Sequence, residues 1–333
     1  MKASPAADFE RFYVLGAGFQ ASEIIFTAVR LGIFTALDAG PATSKSLAGK
    51  LQLSQDALAR FMRALKSMGL IAERNGTYSK TAISRNYLGA ASGENCSDML
   101  IHLETLKSSW ANLSYSLKKG TMHAPRKGAL ADYPRQLKRF LGAMHASGAV
   151  KSAVIGKLFP LHRYRHLLDI GGGMGTYAVA FALKNPALQA TVFDLETVVP
   201  HAKKYIRQCG MDRRVSVAAG ECLSDPFPGN DYDLVLLSNI LHIYAPGDAR
   251  SIIKKAARAL QSSGTLLIHD YITGSGDQGF VSLFDMTMLV GTPEGRCHAH
   301  DDLSQWMKES GLSRIKTKTV NAGTSIMWGE KKC

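Results

Sequence analysis

The stretch His166-Leu-Leu-Asp-Ile-Gly-Gly-Gly-Met-Gly175 decides how the second half of this 333-residue chain folds. In it a short apolar strand ends in the carboxylate of Asp169 and turns through a glycine cluster into a helical pattern. Glycines at the mouth of a first strand leave the backbone bare, so a ligand can approach the N–H groups that begin the helix. The stretch therefore predicts a nucleotide-type site at the edge of an α/β sheet.

Two ligands fit this glycine turn. The run Gly173-Met-Gly175-Thr-Tyr-Ala178 matches the dinucleotide pattern G-x-G-x-x-A, and Asp194 lies about twenty residues further on, where an acid that binds ribose belongs. The carboxylate of Asp169, however, would repel a pyrophosphate and suits a cationic ligand such as S-adenosylmethionine (SAM), which carries an ammonium and a sulfonium group. We predict SAM as the cofactor, with a dinucleotide as the alternative.

The composition is that of a globular protein, with 46% apolar and 20% charged residues. Five cysteines without a C-x-x-C pair indicate reduced thiols. The sequence has no run of eighteen uncharged apolar residues and no basic, apolar leader, so we expect a cytoplasmic protein without a membrane partner.

The net charge is +13, and the stretch from Lys107 to Arg139 holds eight basic residues and one acid, Asp132. We interpret this stretch as a solvated helical face, because aromatic residues are not interleaved with the charges as stacking on nucleic acid requires. An anionic substrate or a nucleic acid remains the alternative.

The first half of the chain has a helix–helix–hairpin pattern. Apolar residues recur at helical spacing over residues 21–37, a second helix covers residues 44–51, and Ser54 is the expected N-cap of a third. Asn75-Gly76 supplies the positive φ values of a tight hairpin turn. This winged-helix-like pattern is also typical of DNA-binding proteins, but Asp56 at the start of the third helix would repel phosphates. We expect packing or dimerisation rather than DNA binding.

Strand and helix signals alternate from residue 166 to 271, which predicts a parallel sheet covered by helices. The predicted strands cover residues 167–169, 190–194, 215–219, 233–238 and 264–268, and residues 314–319 and 324–329 form a terminal pair. We place the domain boundary near residue 155, which gives a helical domain 1–155 and an α/β domain 156–333.

Three acids follow successive strand ends, which is where ligands bind in open α/β sheets. Besides Asp169, Asp194 can accept hydrogen bonds from two ribose hydroxyls, and Glu221 can reach an adenine amine. Each acid taken alone could instead be the N-cap of a helix.

Four segments in this order resemble the motifs of class I SAM-dependent methyltransferases: Asp169-Ile-Gly-Gly-Gly-Met-Gly175, Phe193-Asp194-Leu195, Gly220-Glu221 and Ser238-Asn-Ile-Leu-His242. Together with the winged-helix-like segment and Phe140-x-x-Ala143-Met144-x-x-Ser147, they make nearly the whole chain resemble the plant-type small-molecule O-methyltransferases. That family includes caffeate, acetylserotonin and bacterial polyketide-tailoring enzymes.

The resemblance implies an α/β fold, with a Rossmann-like SAM-dependent methyltransferase domain after a mostly-α, winged-helix-like dimerisation domain. It also implies a homodimer that methylates a hydroxyl of a small aromatic acceptor. His242 corresponds to the family's general base and Asp270 to the acid that orients it. The implied cofactor-binding residues are Asp169, Gly171, Gly173, Asp194, Glu221, Cys222 and Ser238.

The chain departs from the family pattern at two places. Tyr244 stands where the family has tryptophan, and Cys297 stands where it often has a second acid. Either that acid is dispensable, or His298 substitutes for it, or the substrate differs. Methylation of carbon or nitrogen, a nicotinamide oxidoreductase, and a SAM-sensing DNA-binding regulator remain alternatives.

The run His298-Ala-His300-Asp301-Asp302 resembles a set of metal ligands. No third ligand with a recognisable spacing accompanies the two histidines, and the acids can begin a helix instead. We therefore predict no metal site.

Overall fold

The computed structural model describes residues 5–91, 95–123, 134–321 and 323–332. Contacts divide the chain into two compact units, residues 1–105 and 106–333. This division comes before residue 155, because the long helix that starts at Pro134 packs on a helix of the second unit. This division by contacts does not test the predicted domain boundary near residue 155, which stays a prediction.

The first unit is mostly helical, with one small antiparallel sheet. Its helices are α1 (Pro5–Arg30), α2 (Ile33–Ala36), α3 (Ser44–Leu51), α4 (Gln55–Ser67), α5 (Ala82–Tyr87) and α6 (Ser97–Thr105). Its strands β1 (Ala42–Thr43), β2 (Ile71–Arg74) and β3 (Thr77–Lys80) lie in the order β1-β3-β2. The predicted N-cap is confirmed, because the Ser54 hydroxyl accepts from the N–H of Ala57 at 3.5 Å. The hairpin is confirmed as well, with positive φ at both Asn75 and Gly76.

Helix α1 begins earlier than predicted and ends at Arg30, before Gly32 adopts a left-handed conformation and precedes α2. Its N-terminal half exposes six large apolar side chains, each between 62 and 74% exposed: Phe9, Phe12, Tyr13, Val14, Leu15 and Phe19. By length and composition alone, Ala6–Arg30 is also long and apolar enough to cross a membrane. An exposed apolar surface of this extent is typical of a helix that contacts another protein or a membrane.

The second unit is built on a seven-stranded mixed sheet. Its strands are β4 (His166–Ile170), β5 (Gln189–Asp194), β6 (Val215–Ala219), β7 (Tyr232–Ser238), β8 (Leu260–Asp270), β9 (Leu312–Thr319) and β10 (Ser325–Lys331), in the order β6-β5-β4-β7-β8-β10-β9. Strands β4 to β8 are parallel, and β10 runs antiparallel to both β8 and β9. The five predicted parallel strands and the terminal pair are therefore confirmed, although β8 begins at Leu260 rather than residue 264.

Helices cover both faces of this sheet, which explains why strand segments such as residues 234–237 are apolar throughout. The helices are α7 (Lys107–Trp110), α8 (Leu113–Lys119), α9 (Pro134–Leu158), α10 (Thr176–Lys184), α11 (Val199–Gln208), α12 (Pro246–Ala259), α13 (Gln278–Gly291) and α14 (His300–Glu309). One core joins the sheet to α12 and α14, and the other joins it to α9, α10 and α11. The carboxyl ends of the parallel strands thus share one edge, which carries the candidate site.

Candidate active site

The glycine turn after β4 places backbone without side chains at the edge of the sheet where the parallel strands end. Gly171 has φ +66°, and a Cβ there would lie 2.1 Å from Cδ1 of Ile240, so any side chain would be strained and would displace the Ile240 side chain. The N–H of Gly173 donates to Oδ2 of Asp194 at 2.7 Å. The turn from β4 into α10 is therefore tied to the end of β5, as the sequence predicts for a nucleoside site.

Asp169 lies beneath the turn and is fully buried. Neither of its carboxylate oxygens has a hydrogen-bond partner among the described residues, although the N–H of Ala178 is near enough to favour the charged form. Burial raises the pKa of Asp169 to about 7, and the carboxylate of Asp194 acts in the same direction. Asp169 is therefore a fixed acidic group under the backbone and does not lie on the surface of the site.

Asp194, at the end of β5, accepts two backbone N–H groups and remains partly exposed. Oδ1 accepts from Leu195 at 2.8 Å, and Oδ2 accepts from Gly173. Burial raises the pKa of Asp194, and the two N–H donors act against it. Because each oxygen keeps a second lone pair, the carboxylate can still accept from the hydroxyls of a ribose.

The loop after β6 carries Glu221. It is held in place by hydrogen bonds from Lys255, which was not among the predicted site residues. The ammonium of Lys255, on α12, donates to the carbonyls of Cys222, Leu223 and Asp225 at 2.7, 3.0 and 2.8 Å. All three of its donors are thus used on one loop. Glu221 itself is half-buried and accepts from the N–H of Leu223 at 3.3 Å.

Cys222 and Ser238 lie at the same edge but contact protein groups. The thiol of Cys222 is 2.8 Å from the hydroxyl of Tyr244, and burial raises the pKa of Cys222 to about 11, so the thiol is neutral. The hydroxyl of Ser238 lies 2.9 Å from Nδ1 of His269 in a buried polar cluster. Burial lowers the pKa of His269 to about 3, so its ring is neutral. Direct contact of Cys222 or Ser238 with a cofactor stays a prediction.

These residues fit SAM. The buried acidic group of Asp169, whose oxygens have no hydrogen-bond partner in the described part of the chain, lies under the glycine backbone, and further carboxylates follow β5 and β6. That arrangement suits a cationic nucleoside, whereas a pyrophosphate would meet three acids: Asp169, Asp194 and Glu221.

His242 and Asp270 form a buried pair at the ends of the adjacent strands β7 and β8. Nδ1 of His242 lies 2.6 Å from Oδ1 of Asp270, and both side chains are less than 10% exposed. Burial by itself would raise the pKa of Asp270, but His242 and the N–H of Tyr271 hold it below its ordinary value. A charged Asp270 makes Nδ1 of His242 the donor and Nε2 the acceptor, which is the arrangement of a general base.

The turn that carries His242 is fastened by residues 296–298. The N–H of Arg296 donates to the carbonyl of His242 at 2.8 Å, and Nε2 of His298 lies 3.0 Å from the carbonyl of Leu241. His298 therefore positions the turn and is not directed at the imidazole of His242. Burial raises the pKa of Cys297, with nearby Asp285 and Asp270 adding to the effect, so its thiol is no substitute for an ionised acid.

Aromatic rings continue the site from His242. The ring of Phe284, on α13, packs edge-on against His242 with centroids 5.0 Å apart and stacks on Tyr271 at 3.6 Å. Beside them the ammonium of Lys151, on α9, lies 3.2 Å from the hydroxyl of Tyr271. Lys151 was not among the predicted site residues, although a lysine in the apolar row of α9 between Gly148 and Ile155 is a detectable signal.

The residues of the possible metal motif are engaged elsewhere. His298 bonds Leu241, and the ring nitrogens of His300 lie near Asp301 and Thr317. Within the part of the chain that the structure describes, no three His, Cys, Asp or Glu side chains gather as metal ligands.

Comparison with known proteins gives similarity along most of the chain. Residues 120–313 match an O-methyltransferase domain, and residues 14–90 match an O-methyltransferase dimerisation domain. The 3-hydroxy-5-methyl-1-naphthoate 3-O-methyltransferase of Streptomyces sahachiroi is 27% identical over 313 residues, which cover 91% of this chain and 89% of that enzyme. The acetylserotonin O-methyltransferase of Rattus norvegicus is 27% identical over 324 residues, covering 93% of this chain and 74% of that enzyme.

Among solved structures, human N-acetylserotonin methyltransferase in complex with SAM superposes with a TM-score of 0.89. The superposition covers 100% of both chains at 22% identity, a level at which the likeness concerns the fold alone. The predicted fold class, a Rossmann-like methyltransferase domain preceded by a mostly helical dimerisation domain, is thereby confirmed.

Proposed function

Because the chain belongs to the O-methyltransferase family and is a SAM-dependent enzyme, we propose that it methylates a phenolic hydroxyl of a small aromatic metabolite. The observation that carries this proposal is the 2.6 Å contact between His242 and Asp270 at the edge that holds the cofactor residues. Support for an aromatic acceptor comes from the rings of Phe284 and Tyr271 beside His242. The naphthoate substrate named for the Streptomyces sahachiroi enzyme has the same chemistry.

In this proposal His242 takes the proton of the acceptor hydroxyl at Nε2. Asp270 holds Nδ1–H and stabilises the imidazolium that forms as the proton arrives. Bound SAM would supply a methyl group on a sulfonium, and the neutral thioether that departs is already a good leaving group. The protein therefore has to position the acceptor and make its oxygen nucleophilic. A phenol has a pKa near ~10 and a histidine near ~6.5, so the proton transfers as the new bond forms.

The proposed cofactor roles follow the order of the strand ends. Gly171 and Gly173 offer bare backbone, and Asp169 supplies negative charge beneath the methionyl end. Asp194 accepts from the ribose hydroxyls, and Glu221 from the adenine amine, with its neighbour Cys222 at the same face. Ser238 acts through the buried cluster at the end of β7.

We also propose a homodimer in the cytoplasm, formed through the first unit. Residues 14–90 match the dimerisation domain, and the exposed apolar side chains of α1 need a covering surface. The free cysteines Cys96, Cys209, Cys222 and Cys297 suit a reducing compartment.

The test is methyl transfer from SAM to a panel of phenols, with the product identified by mass spectrometry. We expect methylation on oxygen and a fall of about 10²–10⁴ in kcat for His242→Ala, because a positioned base contributes that much. The affinity for S-adenosylhomocysteine (SAH) should stay unchanged. The exposed His162→Ala is the matched control. Full activity in His242→Ala, or a methyl group on carbon, would refute the proposal.

A further inference from the structure

Lys151 carries a nearly buried ammonium that forms no ion pair with an acidic side chain in the described part of the chain. It is 9% exposed and donates one hydrogen bond, to the neutral hydroxyl of Tyr271. None of the ion pairs found in the described ranges includes it. Burying a charged group is costly unless a partner compensates it, so a lysine in this position points to a ligand that brings negative charge.

One charged neighbour compensates Lys151 only from a distance. Asp270 attracts it, but the two groups form no ion pair within the described ranges. Oδ1 of Asp270 is engaged by His242 and by the N–H of Tyr271, and Oδ2 is buried without a hydrogen-bond partner among the described residues. His269, the other titratable neighbour on β8, is neutral because burial lowers its pKa to about 3. Burial lowers the pKa of Lys151 to about 8, so at neutral pH its ammonium is still mostly charged.

Lys151 belongs to the acceptor side of the site. The hydroxyl of Tyr271 contacts its ammonium, the ring of Tyr271 stacks on Phe284, and Phe284 packs against His242. Helix α9 also meets the glycine turn at Leu141 and the start of α10 at Gly148, where a Cβ would lie 3.3 Å from Tyr177. Lys151 is therefore joined to His242 through Tyr271 and Phe284, and it lies one helical turn beyond the contact of α9 with the cofactor side.

We propose that Lys151 binds a carboxylate of the acceptor, so that the substrate is an aromatic hydroxy acid with its hydroxyl at His242 and its anionic group at Lys151. This inference rests on the proposed function. The methionyl carboxylate of the cofactor has the same chemistry, and the experiment separates the two sources.

The experiment measures binding to the SAH-saturated protein by calorimetry, with 3-hydroxy-2-naphthoate and 2-naphthol as matched probes. We expect the acid to bind more tightly than the naphthol. Lys151→Met should weaken the binding of the acid by about 10- to 100-fold and leave the affinity for the naphthol unchanged, because a hydrogen bond to a charged group contributes that much to affinity. Lys151→Arg should restore part of the affinity. Lys157→Met changes an exposed lysine of the same helix and should have no effect.

Each other outcome overturns the inference. An equal loss for both probes would make Lys151 a structural residue. A matching loss of SAH affinity in the apo protein would assign the carboxylate to the cofactor. If the protein does not prefer the acid, or binds neither probe, the proposed carboxylate subsite does not exist. Methyl transfer to neutral phenols is measured separately, so the proposed function can hold even if this inference fails. Binding of the acid to Lys151 can likewise be detected even if the protein transfers no methyl group.

Discussion

Replacing Asp270 by asparagine should separate the charge of this residue from its role in orienting His242. The N–H of Tyr271 donates to Oδ1 at 2.8 Å, and Nδ1 of His242 contacts the same oxygen. In Asp270→Asn the amide oxygen must take this position, because an NH₂ there would face the N–H of Tyr271. His242 therefore keeps its tautomer, and only the negative charge is lost.

The size of the effect follows from the geometry. Two unit charges about 4 Å apart attract each other by about 4 kcal/mol at an effective dielectric constant near 20. If about half of the imidazolium charge has developed in the transition state, Asp270→Asn loses about 2 kcal/mol, a roughly 30-fold fall in kcat. Asp270→Ala also removes the acceptor that orients the ring, and its kcat should fall by about 10³-fold or more.

The assay is initial-rate formation of SAH at saturating cofactor, with SAH affinity as the control for an intact fold. The diagnostic result is the ratio between the two variants. If asparagine is as damaging as alanine, the amide does not preserve the tautomer and the reasoning from Tyr271 is wrong. If both variants keep full activity, the pair takes no part in the reaction.

Three further outcomes follow from the cofactor residues. Lys255→Met should lower SAH affinity about tenfold in calorimetry with little change in kcat, because three carbonyls of the Glu221 loop lose the ammonium that donates to them. An unchanged affinity would mean that the loop keeps its conformation without Lys255. Gly171→Ala should abolish measurable SAH binding, whereas Gly247→Ala, with open space around it, should not. Because the pKa of Asp169 is raised to about 7, its carboxyl group is charged above that pH and neutral below it. The affinity for SAH should therefore fall severalfold as the pH drops from about 8 to about 6, and Asp169→Asn should abolish this pH dependence. A pH dependence that persists in the variant would have to come from another group.

Local patterns were sufficient to predict the strand ends and the acids that follow them. Buried parallel strands are continuous apolar runs, and each run here stops at a polar or small residue on the same edge. The pair of His242 and Asp270 could be expected because their strands are adjacent in a sheet of this order, although that step rested on the family resemblance. The geometry brings these site residues together at one edge of the sheet, and their roles stay predictions.

Other features depend on which helix face reaches which strand, and periodicity does not contain that information. Lys255 is an ordinary helix residue in the sequence, and its contacts arise from the packing of α12. Lys151 interrupts the apolar row of α9, but the residues it contacts are decided by the packing of that helix. His298 was a candidate acid substitute, yet its ring bonds the carbonyl of Leu241. The start of α1 was missed because its N-terminal half has no polar face to give a helical period.

Strand β10 lies inside the sheet, between β8 and β9, although it follows both of them in the sequence. Residues 325–330 pair with residues 265–270, so the strand that ends in Asp270 has one unpaired side until β10 has been made. During synthesis the first unit and the first parallel strands can fold before β10 emerges, whereas β8 gains its second neighbouring strand only afterwards. Deletion of residues 325–331 should therefore destabilise the contact between His242 and Asp270 more than it destabilises the glycine turn.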